Sequence, residues 1–321
     1  MTSSNDQISG EIELFEGQFP EIRSQGDLDE QIRRNPRLDP AYLLQGWAST
    51  RAEIRARIEE LWRVYQPYAD ANFHREFKTR FAERAWELYL GAALLLRGHK
   101  LQKVGRRGPD LKVILDAGPV WIEAVVTTPG EGPDRVPEYD DVEIHNVPED
   151  EMLLRITNAL ATKKGVYDKY VADGVVDPKT PFIIAVNRSP LHYLDAMIPL
   201  ALKSLYGVGH LQISIQLDKP TPEKAKQSWT HRPLLQKRSG GDVSMRFFQD
   251  RANSGISAVF YCVNSIVNSP TAEDVIGDDI VVVYNDLASS PVPGGFPDFG
   301  QHWKVIGDEL RTVRQPGGSQ D

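Results

Sequence analysis

The spacing of apolar residues predicts helices in the first third of the chain. Residues 41–65 and 73–96 carry apolar side chains at helical intervals. The second half of the later stretch is apolar on every side, which is typical of a helix buried inside a domain. After a short strand over 100–104, two apolar runs flank a turn near Asp116 and predict a β-hairpin.

Beyond the hairpin, helical and strand patterns alternate. Some of the strand patterns are nearly all apolar, as expected of strands buried on both faces of a sheet. This order predicts the α/β class, with a three-layer α/β/α arrangement around a central mixed sheet and additional N-terminal helices. The expected helices cover 149–172 and 191–205, and the expected strands cover 182–186, 213–217, 257–263 and 280–284.

Polar and Pro/Gly-rich stretches predict the limits of the domains. We expect an N-terminal tail and helical extension over residues 1–70 and an α/β core over residues 71–290. Within the core, the polar segment near 218–241 predicts an exposed excursion or a long hairpin tip. Residues 291–321 predict a C-terminal tail with a short amphipathic helix from Trp303 to Leu310.

Composition narrows the functional classes. The 321-residue chain has no run of about 18 apolar residues, so we expect no membrane span. Its single cysteine, Cys262, lies in an apolar run, which favours a reducing compartment and a cytoplasmic location. The sequence does not indicate an oligomeric state.

Charge argues both against and for a nucleic-acid partner. The net charge of −8 argues against a protein that coats nucleic acid non-specifically. A basic cluster beside the hairpin is nevertheless compatible with phosphate binding, and an ordinary solvated surface explains it equally well. The cluster comprises Lys100, Lys103, Arg106 and Arg107.

The hairpin places two carboxylates on one face. Since strand side chains alternate between faces, a two- or four-residue turn puts Asp110 opposite Val125 and Lys112 opposite Glu123. All four then share one face, with Asp110 diagonal to Glu123. Two carboxylates held rigidly together are typical ligands of a hard divalent cation.

The order of elements adds a resemblance to a known family. A helix with a glutamate, a strand, Gly-Pro-Asp and a hairpin leading to Glu-x-x resemble the PD-(D/E)XK, or restriction-endonuclease-like, nuclease superfamily. The likeness covers about residues 73–190 and is strongest over 108–126. It implies that Asp110 and Glu123 bind Mg²⁺, for which Mn²⁺ could substitute. Glu83, or Glu87 one turn later, could match the family's helical carboxylate.

The chain departs from the family pattern at one residue, because Val125 occupies the position of the motif lysine. Lys112, on the neighbouring strand, could replace it. Lys163 is the other candidate, since it lies in line with the apolar stripe of its helix, between Leu160 and Tyr167. A lysine on an inward face usually has a partner, although its stem could instead extend to solvent.

These observations predict Mg²⁺-dependent phosphodiester hydrolysis, with DNA favoured over RNA as the substrate. The alternative is a nuclease-like domain that has lost catalysis and binds nucleic acid or protein. An ion pair between Lys112 and the two hairpin acids would explain the hairpin without any metal. Other chemistries are not indicated, since the seven histidines lack zinc-ligand spacing and no phosphate-binding P-loop occurs.

Overall fold

The structure, a computed structural model, describes residues 13–105, 107–138, 146–195, 197–215, 225–306 and 309–314. The helices of this part of the chain are α1 (Gln25–Arg34), α2 (Pro40–Trp47), α3 (Ala52–Tyr65), α4 (Phe73–Phe77), α5 (Phe81–Leu96), α6 (Glu149–Ala172) and α7 (Leu200–Tyr206). The strands are β1 (Lys100–Leu101), β2 (Leu111–Leu115), β3 (Gly118–Val126), β4 (Phe182–Asn187), β5 (Val208–Ile215), β6 (Ala225–His231), β7 (Leu234–Gln236), β8 (Asp242–Ser244), β9 (Ala258–Cys262), β10 (Val281–Tyr284), β11 (Gln301–Ile306) and β12 (Glu309–Arg314).

A mixed sheet of eight strands organises the fold, in the order β1-β2-β3-β4-β9-β10-β11-β12. β3, β4 and β9 run parallel to one another. β1, β2 and β3 pair antiparallel, as do β9 with β10 and β11 with β12. The expected α/β class with a central mixed sheet is therefore confirmed.

Both faces of the sheet are covered. All six residues of β4 are buried, and they alternate between two apolar clusters. Ile183 and Ala185 pack with residues of α3 and α5, whereas Phe182, Ile184 and Val186 pack with residues of α6 and α7. A strand covered on both sides explains why its sequence is a continuous apolar run.

Helix α5 is fixed to the sheet by packing and by a hydrogen bond. The indole Nε1 of Trp86 donates to the carbonyl oxygen of Ala185 in β4 at 2.9 Å. On its other side, Gly91 leaves room for the ring of Tyr65 from α3, because a Cβ at Gly91 would lie 2.3 Å from Tyr65 Cδ2. These contacts determine which face of α5 is directed toward the hairpin.

The C-terminal segment differs from the prediction of a short helix. Residues expected to be helical from Trp303 to Leu310 instead form β11 and the start of β12, apart from positions 307–308, which lie outside the described residues. β11 pairs with β10 and β12, and Trp303 and Val305 pack on the α6 side of the sheet. Their period of two was the strand signal in this stretch.

Two predicted helices are shorter than expected. Residues 41–65 form α2 and α3, separated by a 3-10 turn at Ser49–Arg51. The stretch 191–205 becomes helical only from Leu200, after a 3-10 turn at Ser189–Leu191. Within the expected excursion near 218–241, residues 218–224 lie outside the described part, and the remainder contains β6 and β7, which do not join the central sheet.

Helix length also bears on the membrane prediction. Among the described residues, every helix is too short or too polar to cross a bilayer.

Candidate functional site

A cleft of about 140 Å³ lies between α5, the start of β2, the end of β3 and α6. We call it the acidic cleft. Its lining consists mainly of charged side chains, and three residues near the end of β3 complete it. The lining residues are Arg80, Glu83, Arg84, Glu87, Asp110, Ala124, Val125, Val126 and Lys163.

The turn of the hairpin lies one residue earlier than expected, which shifts the pairing partners by two residues. Leu115 pairs with Gly118, so the turn is Asp116-Ala117, and Gly118 has a φ of +120° that favours glycine. Lys112 consequently pairs with Trp121, and the predicted pairing of Lys112 with Glu123 is wrong. A slip of two residues preserves the face of every side chain, whereas a slip of one would have reversed it.

Asp110 lies just before β2, where the slipped register brings it level with Glu123. Its Oδ2 accepts a hydrogen bond from the backbone N–H of Ala124 at 2.7 Å. Leu111 and Ile122 form the last regular pair of the ladder. The carboxylate of Asp110 therefore bonds to the backbone of β3 immediately after Glu123.

Glu123 is buried, with 4% of its surface exposed, and it has a cationic partner from α6. The Nζ of Lys163 lies 2.6 Å from Glu123 Oε1. The hydroxyl of Tyr170, two turns later in α6, lies 3.5 Å from Glu123 Oε2 and donates to the carbonyl oxygen of Gly108 at 3.2 Å. Lys163 thus reaches Glu123 from the helix, as one of the two sequence alternatives required.

Lys112, the other predicted substitute, is placed differently. Its Nζ lies 4.8 Å from the centroid of the Trp121 ring, at cation–π distance. It lines a separate cleft of about 390 Å³ that also includes Lys103, Arg107 and Trp121. The structure therefore associates Lys112 with the predicted basic cluster. In that cluster, Lys100, Lys103 and Arg107 are exposed, and Arg106 lies outside the described residues.

The two glutamates of α5 have different environments. The side chain of Glu83 is 42% exposed and forms an ion pair with Arg80 at the rim of the cleft. Glu87 is buried and accepts hydrogen bonds from Tyr65 Oη at 2.7 Å and from Arg84 Nη1 at 2.5 Å. The sequence favoured Glu83, but Glu87 is the helical carboxylate that the packing of α5 directs inward.

Arg84 is shared among several acids. Its guanidinium pairs with Asp70 at 3.0 Å and with Glu87, and it also pairs with Glu76. With a side chain only 13% exposed, Arg84 is held in place by these contacts. Its positive charge is therefore divided over three carboxylates.

Glu87, Asp110 and Glu123 form what we call the acidic group, in which burial disfavours ionisation. Burial, reinforced by the nearby charge of Asp110, raises the pKa of Glu123 to about 7 and that of Glu87 to about 8. Burial also raises the pKa of Asp110, although Lys163 and the Ala124 N–H act in the opposite direction. Glu87 and Asp110 line the cleft, whereas Glu123 lies behind its lining and contacts it through Lys163.

The acidic group has the donor chemistry of a hard divalent cation. Carboxylate oxygens are the ligands that Mg²⁺ prefers, and proteins usually supply only one or two of them, while waters and substrate phosphate complete the shell. In the described part of the chain, no cluster of three or more His, Cys, Asp or Glu side chains is arranged to hold a metal by itself.

Sequence reasoning did not identify Tyr65, Arg84 or Tyr170 as contributors. Tyr65 and Tyr170 contact Glu87 and Glu123 from other elements, which lie far away in the sequence. Arg84 pairs with Glu87 three residues away in α5, and it also pairs with Asp70 and Glu76. One signal was present for Glu87, which lies inside the all-apolar half of its helix, where a carboxylate is rarely buried without a partner.

Comparisons with models of protein families, with curated proteins and with solved structures found no match to this chain. The functional argument therefore rests on the geometry and electrostatics of the acidic cleft.

Proposed function

We propose that this protein is a Mg²⁺-dependent phosphodiester hydrolase with a restriction-endonuclease-like core, and that DNA is its favoured substrate. The observation that carries the proposal is the acidic group beside Lys163. Burial raises the pKa of all three acids, and the charge of Asp110 raises the pKa of Glu87 and Glu123 further. Lys163 and Arg84 are the cationic partners of the group. Perturbed acids in a cleft are typical of functional sites.

The order of elements supports the same proposal. Helix α5 carries Glu87, the β2–β3 hairpin carries Asp110 and Glu123, and α6 leads into the parallel strand β4. The resemblance of the sequence to the nuclease superfamily follows the same order of elements. Every element of the resemblance contributes a residue to the acidic cleft or to its packing.

Asp110 and Glu123 would hold the metal ion, and Glu87 would add negative charge from α5. When bound, Mg²⁺ lowers the pKa of a coordinated water and offsets charge on the phosphate. Asp110 is oriented by the Ala124 N–H, and Glu123 is oriented by Lys163 and Tyr170. These contacts position the carboxylates before substrate arrives, which reduces the reorganisation needed in the transition state.

Lys163 would replace the motif lysine, whose position in the sequence is occupied by Val125. Its ammonium group lies at Glu123, so it can stabilise negative charge on a phosphate bound at that carboxylate. Because its side chain is 20% exposed, it can also exchange its partner without leaving the cleft. The lysine function would thus come from a helix instead of from β3.

The alternative function is a nuclease-like domain that binds nucleic acid or protein without cleavage. The observation that favours it is the ion pair of Lys163 with Glu123, since a satisfied pair needs no metal. Val125 at the motif position favours it as well.

A cleavage assay with calorimetry distinguishes the two functions. Single- and double-stranded DNA and RNA are incubated with the full chain in Mg²⁺, Mn²⁺ or EDTA, and metal binding is measured separately. We expect metal-dependent cleavage that is reduced in Glu87→Gln and largely retained in Glu83→Gln, which changes the same residue type one turn away. Absence of both cleavage and metal binding in the wild type would contradict the hydrolase, and nucleic-acid binding under those conditions would favour the binding module.

A further inference from the structure

The molecule has a second cavity beside the acidic cleft, at the carboxyl ends of β4 and β9. Its volume is about 500 Å³, within the range of small-molecule sites. Its walls come from α2, the start of α5, the residues after β4 and the residues after β9. Ligands of open α/β sheets bind at the carboxyl ends of strands, so its position is that of a binding site.

Among the residues that the structure describes, no Asp, Glu, Lys or Arg side chain lines this cavity. We therefore call it the neutral cavity. Aromatic groups are contributed by Phe81, Trp86 and Tyr193, and amides are contributed by Gln45 and Asn187, among others. An uncharged lining with aromatic and amide groups fits a neutral, flat ligand that has its own hydrogen-bonding edge.

Gln45, which lines this cavity, has an unsatisfied acceptor. The residue is 6% exposed, and its Oε1 is buried without a hydrogen-bond partner among the described residues. By contrast, Asn187 is fully engaged, since its Nδ2 donates to the Asn264 carbonyl oxygen at 2.7 Å and its Oδ1 accepts from Ser189 N–H at 2.9 Å. A buried acceptor without a partner destabilises a fold unless a ligand supplies the donor.

A strained residue borders the same cavity. His192 has a φ of 58°, in the left-handed backbone region that residues other than glycine rarely adopt. Such backbone strain clusters at binding and catalytic sites. His192 is exposed, so it lies at the mouth of the cavity and not in its buried wall.

Helix α5 joins the two sites. Arg80, Glu83, Arg84 and Glu87 line the acidic cleft, and residues 81, 82, 85 and 86 line the neutral cavity. An α-helix with its side chains is about 10–12 Å across, so the two sites lie about one helix width apart. A polymer whose phosphate lies at the acidic group could therefore place a neighbouring group in the neutral cavity.

We propose that the neutral cavity is a nucleobase subsite, in which Gln45 accepts a hydrogen bond from an N–H of the base and the aromatic walls contact its ring. The inference rests on the proposed function, because the base would belong to the strand held at the acidic cleft. Bases taken out of a stack are bound by contacts to their polar edges and by packing between aromatic and apolar side chains. A free nucleoside presents the same chemistry.

The test is a binding measurement in EDTA, where metal-dependent cleavage is off. Labelled single-stranded oligonucleotides, with and without one abasic residue, are titrated by anisotropy, and adenosine, cytidine and thymidine are titrated by calorimetry. The variants are Gln45→Leu, which removes the acceptor at similar size, and Ala82→Leu, which fills part of the cavity. Gln31→Leu is the matched control, because Gln31 is also buried but its Oε1 has a partner in Asn35.

We expect Gln45→Leu to weaken binding about tenfold, which corresponds to about 1.4 kcal/mol. The same variant should raise the Tm, because it removes an unsatisfied buried acceptor. Ala82→Leu should also weaken binding, whereas Gln31→Leu should lower the Tm and leave binding unchanged. An abasic oligonucleotide should bind the wild type more weakly than an intact one, and this difference should shrink in Gln45→Leu.

The outcomes separate this proposal from the proposed function. Equal affinities of wild type, Gln45→Leu and Ala82→Leu, or no binding of any base, would overturn the subsite even in an active nuclease. Binding that depends on Gln45 in a protein that never cleaves would overturn the hydrolase and leave the subsite standing. Strong binding of nucleosides with no preference for intact over abasic strands would identify a free nucleoside as the occupant.

Discussion

Two groups of acidic residues in this molecule differ in how many cationic partners they have. At the start of α6, residues 149–151 are all acidic, and each forms an ion pair with a different cation. Glu149 pairs with Lys203, Asp150 with Arg232 and Glu151 with Arg238. We call this set the paired turn. At the acidic cleft, the three members of the acidic group share two cations, Lys163 and Arg84. Arg84 also pairs with Asp70 and Glu76.

The difference appears in the direction of the pKa shifts. Hydrogen bonds from Arg232 lower the pKa of Asp150, because they stabilise its ionised form. Burial raises the pKa of Glu123 despite the contact with Lys163. In the paired turn each acid has its own cation, whereas the three buried acids of the acidic group share two cations. The variants below test that contrast.

The largest effect is expected from removing one charge in each group. Asp110→Asn should lower the rate of metal-dependent cleavage by about 100-fold or more. It removes a metal ligand, so the negative charge on the substrate phosphate is no longer offset by a well-held metal ion. Its Tm should stay the same or rise, since one of three mutually repelling buried acids becomes neutral. Asp150→Asn should retain activity, and its free energy of unfolding should fall by at most about 1 kcal/mol, as expected for a partly exposed ion pair. Cleavage assays and thermal denaturation measure both.

The result that would remove the contrast is a marked loss of stability in Asp110→Asn with activity retained. Asp110 would then be a structural residue like Asp150. Glu123→Gln serves as a second member of the same class and should behave as Asp110→Asn does.

The next effect compares two lysines, each ion-paired to a glutamate. Lys163→Met should reduce the cleavage rate by about 10- to 100-fold, since it removes a charge that stabilises the transition state. Lys203→Met should leave the rate unchanged and lower the free energy of unfolding by about 2 kcal/mol, because Glu149 loses both of its hydrogen bonds from that ammonium. Equal rates for the two variants, measured well below their Tm, would place the missing lysine function elsewhere.

A third prediction concerns pH. Since the pKa of Glu123 is raised to about 7, a metal ion must displace its proton at lower pH. Metal affinity should therefore rise about tenfold per pH unit for each proton released, and it should level off above about pH 8. Calorimetry in two buffers of different ionisation enthalpy counts the protons. Affinity that is constant from pH 5 to 8 would be incompatible with a buried, raised-pKa ligand.

The same shift predicts a stability change without metal. An acid with a raised folded-state pKa contributes stability below its unfolded pKa, and this contribution is lost as pH rises toward the folded value. The free energy of unfolding should therefore fall between about pH 4.5 and pH 7 for the part due to Glu123. Glu123→Gln should remove this slope, and Asp150→Asn should not.

A fourth prediction concerns two helical glycines. Gly91→Ala should cost about 1–3 kcal/mol, because its Cβ would meet the buried ring of Tyr65 at 2.3 Å and disturb the bond from that hydroxyl to Glu87. Gly165→Ala, in α6 with no atom within 4 Å of the added Cβ, should instead gain about 0.5–1 kcal/mol. Chemical denaturation distinguishes the signs, and equal signs would contradict the packing of Tyr65 on α5.

The sequence predicted those parts of the fold that local pattern determines. The mixed α/β class is confirmed, and the strands β4, β9 and β10 coincide closely with their apolar runs. The C-terminal helix was wrong because pairing of Trp303 and its neighbours with β10 overrides a weak local preference. The hairpin acids kept their common face because the register slipped by an even number of residues.

The rest of the site depended on contacts that no local pattern encodes. The choice between Glu83 and Glu87 is determined by how α5 lies on the sheet, and that placement depends on the bond from Trp86 to Ala185 and on the ring of Tyr65. The neutral cavity has walls near residues 41–45 and 263–268, which only the tertiary fold brings together.

The complete burial of β4 has a kinetic consequence for the two sites. Flanked by β3 and β9 and covered on both faces, its amides should exchange with solvent only through global unfolding. Helix α1 packs largely through a small separate cluster that includes Leu28, so it should open locally and much more often. Helix α2 also buries Tyr42 in the main cluster, so its opening should be rarer than that of α1. Gln45 lies on α2, so amide exchange in α2 should report how often the wall of the neutral cavity opens, whereas Glu123, on the strand next to β4, should stay fixed.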